Sequence, residues 1–180
     1  MIEYAYFAGG CFWCMVSPFD ILEGILEVKS GFMGGDLDDP TYEDVKTQTS
    51  GHYEVIRIKY ESDVIDYNKL LQAFWRQVDP TDTEGQFQDR GPSYRTGIFY
   101  TNDVQKSIAE ASIVEMDTSK RFPAPITTPI IQAETFYLAE DYHQDFYKKD
   151  PDAYQLDRTK SGRDEFIKKY WGDDYFDIYE

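Results

Sequence analysis

Cysteine is almost absent from this 180-residue chain, which has two in all. That excludes a secreted disulfide framework, which needs several pairs in a small scaffold. Histidine is as scarce, with two residues. A zinc site would have to join both cysteines to His52 and His143, whose spacing suits it poorly. Positive charge is short: 18 Lys and Arg stand against 34 Asp and Glu, for a net charge of −16 and a pI of about 4.4. Such a chain repels a polyanionic backbone, so no nucleic acid is expected as a partner. No apolar run approaches the roughly 20 residues that span a bilayer, so no membrane is expected either. The first seven residues lack the basic and apolar regions of a signal peptide. A cytoplasmic, reducing location is therefore expected, where a Cys-x-x-Cys is catalytic or metal-binding rather than structural. Internal repeats, low-complexity linkers, phosphate loops, EF-hands and Ser-His-Asp patterns are also missing.

What is present is a globular composition, 41% hydrophobic and 29% charged, with 15 Tyr, 12 Phe and 3 Trp. Residues 2–9 alternate and end at Gly9-Gly10, which reads as a strand closing on a turn. Residues 12–22 carry apolar side chains at helical spacing, with Pro18 set to kink the helix or to restart it behind a Ser17 cap. A strand over 26–32 and a polar loop over 36–50 follow. Residues 52–60 alternate cleanly as a strand, and 67–78 are spaced as a helix that Asp79-Pro80 stops. A second polar loop covers 80–94. Then come a strand over 95–100, a capped helix through about Lys120, a strand over 130–136, a helix over 139–149 and a charged, Tyr-rich tail with one short helix over 163–170. This order predicts an α+β fold: a two-layer sandwich with a ferredoxin-like βαββαβ core, extra elements and an irregular C-terminal extension. The division expected is 1–150 as the main domain, with 151–180 packed on it or extending it.

Chemistry is concentrated at Gly9-Gly10-Cys11-Phe12-Trp13-Cys14. A thiol at a helix N-terminus is favoured as thiolate, and the Cys-x-x-Cys spacing lets Cys14 reach Cys11 where geometry permits. The bland alternative is two buried cysteines acting as small hydrophobes. Phe12 and Trp13 are ordinary core residues on this reading, unless one of them lines an apolar wall beside the thiol. Glu54 opens a strand, where carboxylates are usually exposed; facing a pocket, it would have a raised pKa and act as a general acid. Tyr42, Asp89 and Tyr94 lie in loops and carry little signal alone. Residues 140–144 read as a solvated helix face.

Taken jointly, Gly10-Cys11-Phe12-Trp13, Pro40-Thr41-Tyr42, Gly51-His52-Tyr53-Glu54, Phe74-Trp75, Asp79-Pro80, Gln88-Asp89-Arg90-Gly91, Tyr94-Arg95 and Ala139-Glu140-Asp141-Tyr142-His143-Gln144 resemble, in order and separation, the A-type peptide methionine sulfoxide reductases. The resemblance covers about residues 4–150. It implies Cys11 as nucleophile, Glu54 as the acid at the sulfoxide oxygen, Tyr42 and Tyr94 as phenols holding that oxygen, and Asp89 as a supporting carboxylate. Phe12 and Trp13 would form the wall for the substrate methyl. It further implies action on the S epimer of free and protein-bound methionine sulfoxide, no metal or bound cofactor, and thioredoxin as reductant. Two departures stand out: Cys14 replaces a common glycine, and the tail lacks the resolving cysteines many members carry. Cys14 is thus the only thiol left to resolve an oxidised Cys11. The competing readings are a general thioredoxin-like dithiol–disulfide oxidoreductase and a non-enzymatic binding module with buried cysteines.

Overall fold

The computed structural model describes residues 1–180. In chain order its elements are β1 (Ile2–Gly9), α1 (Phe12–Val16), β2 (Ile25–Met33), α2 (Tyr42–Lys46), β3 (Tyr53–Glu61), α3 (Tyr67–Trp75), β4 (Gly85–Gln86), β5 (Asp89–Arg90), β6 (Thr96–Tyr100), α4 (Asp103–Ser119), β7 (Ile130–Gln132), β8 (Tyr137–Leu138), α5 (Phe146–Lys149), α6 (Pro151–Ser161) and α7 (Arg163–Tyr170). Six strands form one sheet in the order β7-β6-β1-β3-β2-β8. Its middle, β6-β1-β3-β2, is antiparallel throughout and has the ferredoxin-like order, with α1 and α3 as the two connecting helices. β7 adds in parallel to β6, and β8 adds antiparallel to β2. No helix is long and apolar enough to cross a membrane.

Strand alternation decides which residues meet the helices. Ala5 and Phe7 of β1, Val28 and Phe32 of β2, Ile56 and Ile58 of β3, and Ile98 of β6 share the main core with Leu70, Leu71 and Phe74 of α3 and Ala109 of α4. The other sheet face carries a smaller cluster of Ala8, Met33, Tyr53, Val55 and Phe99, covered in part by Phe136. Helix caps follow their side chains: Asp66 accepts from Lys69 N and Asn102 from Gln105 N. Trp75 Nε1 donates to Ser112 Oγ at 2.7 Å and ties α3 to α4.

Several local expectations change. The first helix ends at Val16, and a cis Ser17–Pro18 bond leads into a 3-10 turn over Phe19–Ile21 that Ser17 does not cap. Tyr42 starts a short helix rather than lying in a loop, because Thr41 and Asp44 form a reciprocal capping box. The strand expected over 130–136 breaks after Gln132, and the helix expected over 139–149 is a 3-10 turn at Asp141–His143 followed by α5. The tail is not irregular beyond one helix. It folds as α6, α7 and a 3-10 run over Gly172–Tyr179, and it puts Ile167, Trp171 and Ile178 into the main core. Trp171 has the guanidinium of Arg76 at 4.3 Å and that of Arg121 at 4.1 Å from its ring centroid.

Residues 139–144 are held to the sheet edge by one buried amide. Gln144 Oε1 accepts from Ser30 N at 2.9 Å, and its Nε2 donates to Ser30 O at 2.8 Å and Ala139 O at 3.1 Å. Gln144→Ala takes this partner from Ser30 N and Ala139 O, while Ser30 O keeps its bond from Ala139 N at 3.0 Å, so urea denaturation is expected to show a loss of about 2–4 kcal/mol. A midpoint equal to that of the parent chain would contradict this account.

Candidate active site

The site starts where β1 runs out. Gly10 has φ +88° and sits so close to the β4–β5 hairpin that an added Cβ would lie 2.7 Å from Gln86 Cβ. Only glycine tolerates both conditions. The chain therefore turns sharply and delivers Cys11 as the residue capping α1. Cys14 is one turn on, with its N–H bonded to the Cys11 carbonyl at 3.1 Å. Both cysteines are free and buried. Their sulfurs and a carboxylate oxygen of Asp157 on α6 all lie within 4.8 Å of one another.

Glu54 reaches the same place from β3. It shares a strand face with Ile56 and Ile58, so alternation points it toward α1 and leaves it 3% exposed. Its Oε1 accepts the Phe12 N–H, a first-turn donor without a partner inside the helix, at 3.1 Å. Burial pushes the Glu54 carboxyl up to about 8; Asp89 and Cys14 add to the rise, and the hydrogen bonds from Phe12 N–H and Tyr94 oppose it. Tyr94 closes a 3-10 turn at Pro92–Tyr94, and Tyr42 opens α2. Both phenols have raised pKa values, through burial first and the Glu54 charge second, so both stay protonated as donors. Asp89, on β5, is pushed up to about 6 by burial and by Asp157.

The two thiols differ. Cys11 is pushed well up, by its hydrogen bond to Cys14, by burial and by the negative charges of Glu54 and Asp89. Cys14 is lowered to about 7 by that same hydrogen bond and by Arg163 and Arg158. The expectation that the helix N-terminus would favour a Cys11 thiolate is thus corrected. α1 has five residues, and the hydrogen bond to Cys14, burial and the nearby carboxyls outweigh what so short a helix contributes.

The aromatics divide as well. Phe12 is 1% exposed and packs among Phe32, Tyr42 and His143, inside the main core. Trp13 is half-buried; its Nε1 donates to His143 Nδ1 at 2.9 Å and its ring stacks on Phe146 at 4.1 Å. His143 in turn stacks on Tyr42 at 4.4 Å, and Glu140 accepts from Tyr42 N at 3.1 Å. Residues 140–144 are therefore a support for Tyr42 and Trp13 and not a solvated helix face.

Cys11, Cys14, Glu54, Asp89, Tyr42 and Tyr94 converge from five separate stretches of chain. The sequence reading missed Asp157, Arg158 and Arg163, which the tail lays against the cysteines. The available signal was chemical: arginine suits buried, multiply bonded positions better than lysine does. His52 is engaged elsewhere, with Gly35 N and Leu37 O, and His143 with Trp13, so neither joins the thiols as a metal ligand. Cys11, Cys14 and Asp157 offer three donors, one short of a closed tetrahedral zinc site, and two guanidiniums oppose a cation there.

Residues 3–175 match the family described as peptide methionine sulfoxide reductase. The chain is similar to the peptide methionine sulfoxide reductase MsrA of Halalkalibacterium halodurans, at 57% identity over 171 residues, 95% of this chain and 97% of that one. It is similar to the MsrA of Bacillus subtilis at 56% identity, over 94% of this chain and 96% of the relative. The crystal structure of Mxr1 from Saccharomyces cerevisiae in reduced form resembles it with a TM-score of 0.76 at 28% identity, over 84% of this chain and 87% of that one.

The Glu54 shift has a consequence for stability. Its folded pKa lies above its unfolded value, so the folded state binds the proton more tightly. The contribution to stability is complete below the unfolded pKa of about 4.3 and is lost as pH rises toward the folded value. Glu54→Gln is expected to match the parent in melting temperature at low pH and to exceed it by a margin that grows up to about pH 8. A constant difference across that window would show that Glu54 does not carry a raised pKa.

Proposed function

Since the chain belongs to the peptide methionine sulfoxide reductase family, we propose that it reduces methionine S-sulfoxide, free and in proteins, through Cys11. The observation that carries this reading is the buried, hydrogen-bonded Glu54 carboxyl beside a buried thiol. A sulfoxide sulfur is electrophilic only when its oxygen is polarised, and a neutral carboxyl with two protonated phenols is a donor set suited to that oxygen.

Before reaction the cysteine pair shares a proton, with Cys11 donating to Cys14. As Cys11 attacks the sulfoxide sulfur, its proton passes to Cys14. Glu54 gives its own proton to the oxygen while Tyr42 and Tyr94 hold it. The oxygen moves to Cys11, whose sulfur is oxidised by two electrons as the substrate sulfur is reduced by two; methionine leaves and Cys11 is a sulfenic acid. Asp89 supports the polar side of the pocket. Trp13, held flat between His143 and Phe146, is the wall for the substrate methyl, and Phe12 backs it from inside the core.

Cys14 then condenses with the sulfenic acid to a Cys11–Cys14 disulfide, which a reduced dithiol protein of the thioredoxin class returns to two thiols. Two sulfurs within 4.8 Å make this a small movement. No resident metal or organic cofactor enters this cycle.

Cys11→Ser is expected to release no methionine. Cys14→Ser is expected to release one equivalent in a single turnover and then to stall with thioredoxin as reductant. An epimer-resolved methionine assay with mass spectrometry of the thiols checks both, and undiminished steady-state turnover in Cys14→Ser would remove Cys14 from the cycle.

A further inference from the structure

The tail carries no cysteine, yet it is wrapped onto the two that the chain has. Arg158 on α6 is 9% exposed; its Nη1 donates to the Cys14 carbonyl at 3.2 Å and to Tyr154 Oη at 3.1 Å, and its Nε pairs with Asp164 at 2.7 Å. Arg163 on α7 is 1% exposed; its Nη2 donates to the Gly9 carbonyl at 3.0 Å and its Nη1 to the Gln77 carbonyl at 2.7 Å. The two guanidiniums thus hold the carbonyls on either side of the Gly10–Cys11 turn and the end of the Cys-x-x-Cys.

Arg163 has no carboxylate within 4.0 Å, and its Nε has no partner at all. Carbonyls take its two Nη bonds and the Phe87 ring lies 4.8 Å from the guanidinium, but none of these carries a counter-charge. A buried charge in that state is costly unless an anion stands nearby. Two groups nearby can carry that counter-charge: the Asp89 carboxyl, which Arg163 favours as the anion, and the Cys14 sulfur, on which Arg163 and then Arg158 act most strongly among the surrounding charges.

We propose, on the reductase reading above, that Arg158 and Arg163 form a cationic clamp that makes Cys14 the standing thiolate of the pair, so that a tail without a cysteine still supplies the resolving step. Other groups facing Cys14 work against the clamp or are neutral. Glu54 from β3 and Asp157 and Tyr154 from α6 each oppose a Cys14 anion when charged, and Cys11 donates a hydrogen bond to it. The balance lowers Cys14 to about 7.

In the resolving step the Cys14 sulfur attacks the Cys11 sulfur of the sulfenic acid. The S–S bond forms as the S–O bond breaks, and the departing hydroxyl leaves as water with the proton Cys14 gave up. Cys14 sulfur is oxidised by one electron as Cys11 sulfur is reduced by one, so no further oxidant is required. Arg158 and Arg163 are positioning residues here: they act through Cys14 and do not touch the substrate.

The test uses the full, reduced chain and the variants Arg158→Gln, Arg158→Lys and Asp157→Asn. Ionisation of Cys14 is followed against pH by thiolate ultraviolet absorbance, as the difference from the matching Cys14→Ser chain, because Cys14 is too buried for an alkylating reagent. Arg158→Gln is expected to move the midpoint up by about one pH unit, Arg158→Lys to restore most of it, and Asp157→Asn to move it down. The rate of Cys11–Cys14 disulfide formation after one equivalent of methionine sulfoxide is expected to move in the same directions. A merely structural role would not give opposite signs for the two charges or rescue by lysine. Unmoved midpoints in folded Arg158→Gln and Asp157→Asn would overturn the clamp, and these two decide the matter even if Arg163→Gln does not fold. Failure of the parent chain to release methionine would instead sink the reductase reading, while the ionisation midpoints would still report on the clamp.

Discussion

The hydrogen bond from the Phe12 N–H to Glu54 is the contact on which the site depends. It ties the first turn of α1 to β3, the strand paired with β1, and it does so where Glu54 is 3% exposed. A carboxylate there would be desolvated beside a second carboxyl and two thiols, so the proton stays on. The donor that oxygen chemistry needs is thus a by-product of the fold's own requirement to satisfy an amide at a helix start. Moving Glu54 by one residue along β3 would send it to the opposite sheet face and lose both properties at once.

The chain's strong acidity makes the placement of its cations informative. Most positive charge is spent at the surface, as in the pairs Arg90–Asp82 and Arg57–Glu27. Arg158 and Arg163 are instead taken inside, at the cysteine turn. The result is an asymmetric site: carboxyls from β3 and β5 face Cys11, and guanidiniums from α6 and α7 face Cys14. Three residues apart in sequence and with Asp157 near both, the two thiols still differ in the charges that act on them most, because different parts of the chain cover them.

Much of this was legible in the sequence where the physics is local. Alternation over 52–60 gave the strand that carries Glu54, and Gly9-Gly10 marked the turn before Cys11. The ferredoxin-like order followed from the element order. The errors have physical causes. α2 is too short for a periodic signal and is held by a Thr41–Asp44 capping box. Residues 139–149 lack a continuous helix because the backbone turns extended at Gln144, whose side chain is anchored to Ser30, and left-handed at Asp145 before α5 begins. α6 was missed although Asp150-Pro151 is a proper helix start. Its buried residue is Arg158, so no apolar stripe announces it. The side chains that set the character of Cys14 are therefore the ones hydrophobic periodicity cannot see.

That asymmetry also bears on how a Cys-x-x-Cys should be read. Spacing alone leaves the two thiols equivalent and invites comparison with a general dithiol oxidoreductase. Here the neighbours distinguish them. Cys11 keeps its proton until a polarised substrate arrives, because its hydrogen bond to Cys14, its burial and the nearby carboxylate of Asp89 all oppose a charge on it. Cys14 bears charge more easily but is 2% exposed and lies behind Cys11 in the turn, so it is shielded from outside electrophiles and faces one inside the chain. A thiol that is hard to ionise beside a proton donor suits attack on a sulfoxide. A thiol that ionises easily, buried within reach of the first, suits closing a disulfide. The division of labour follows from what packs against each sulfur, and the cysteine-free tail is half of that packing.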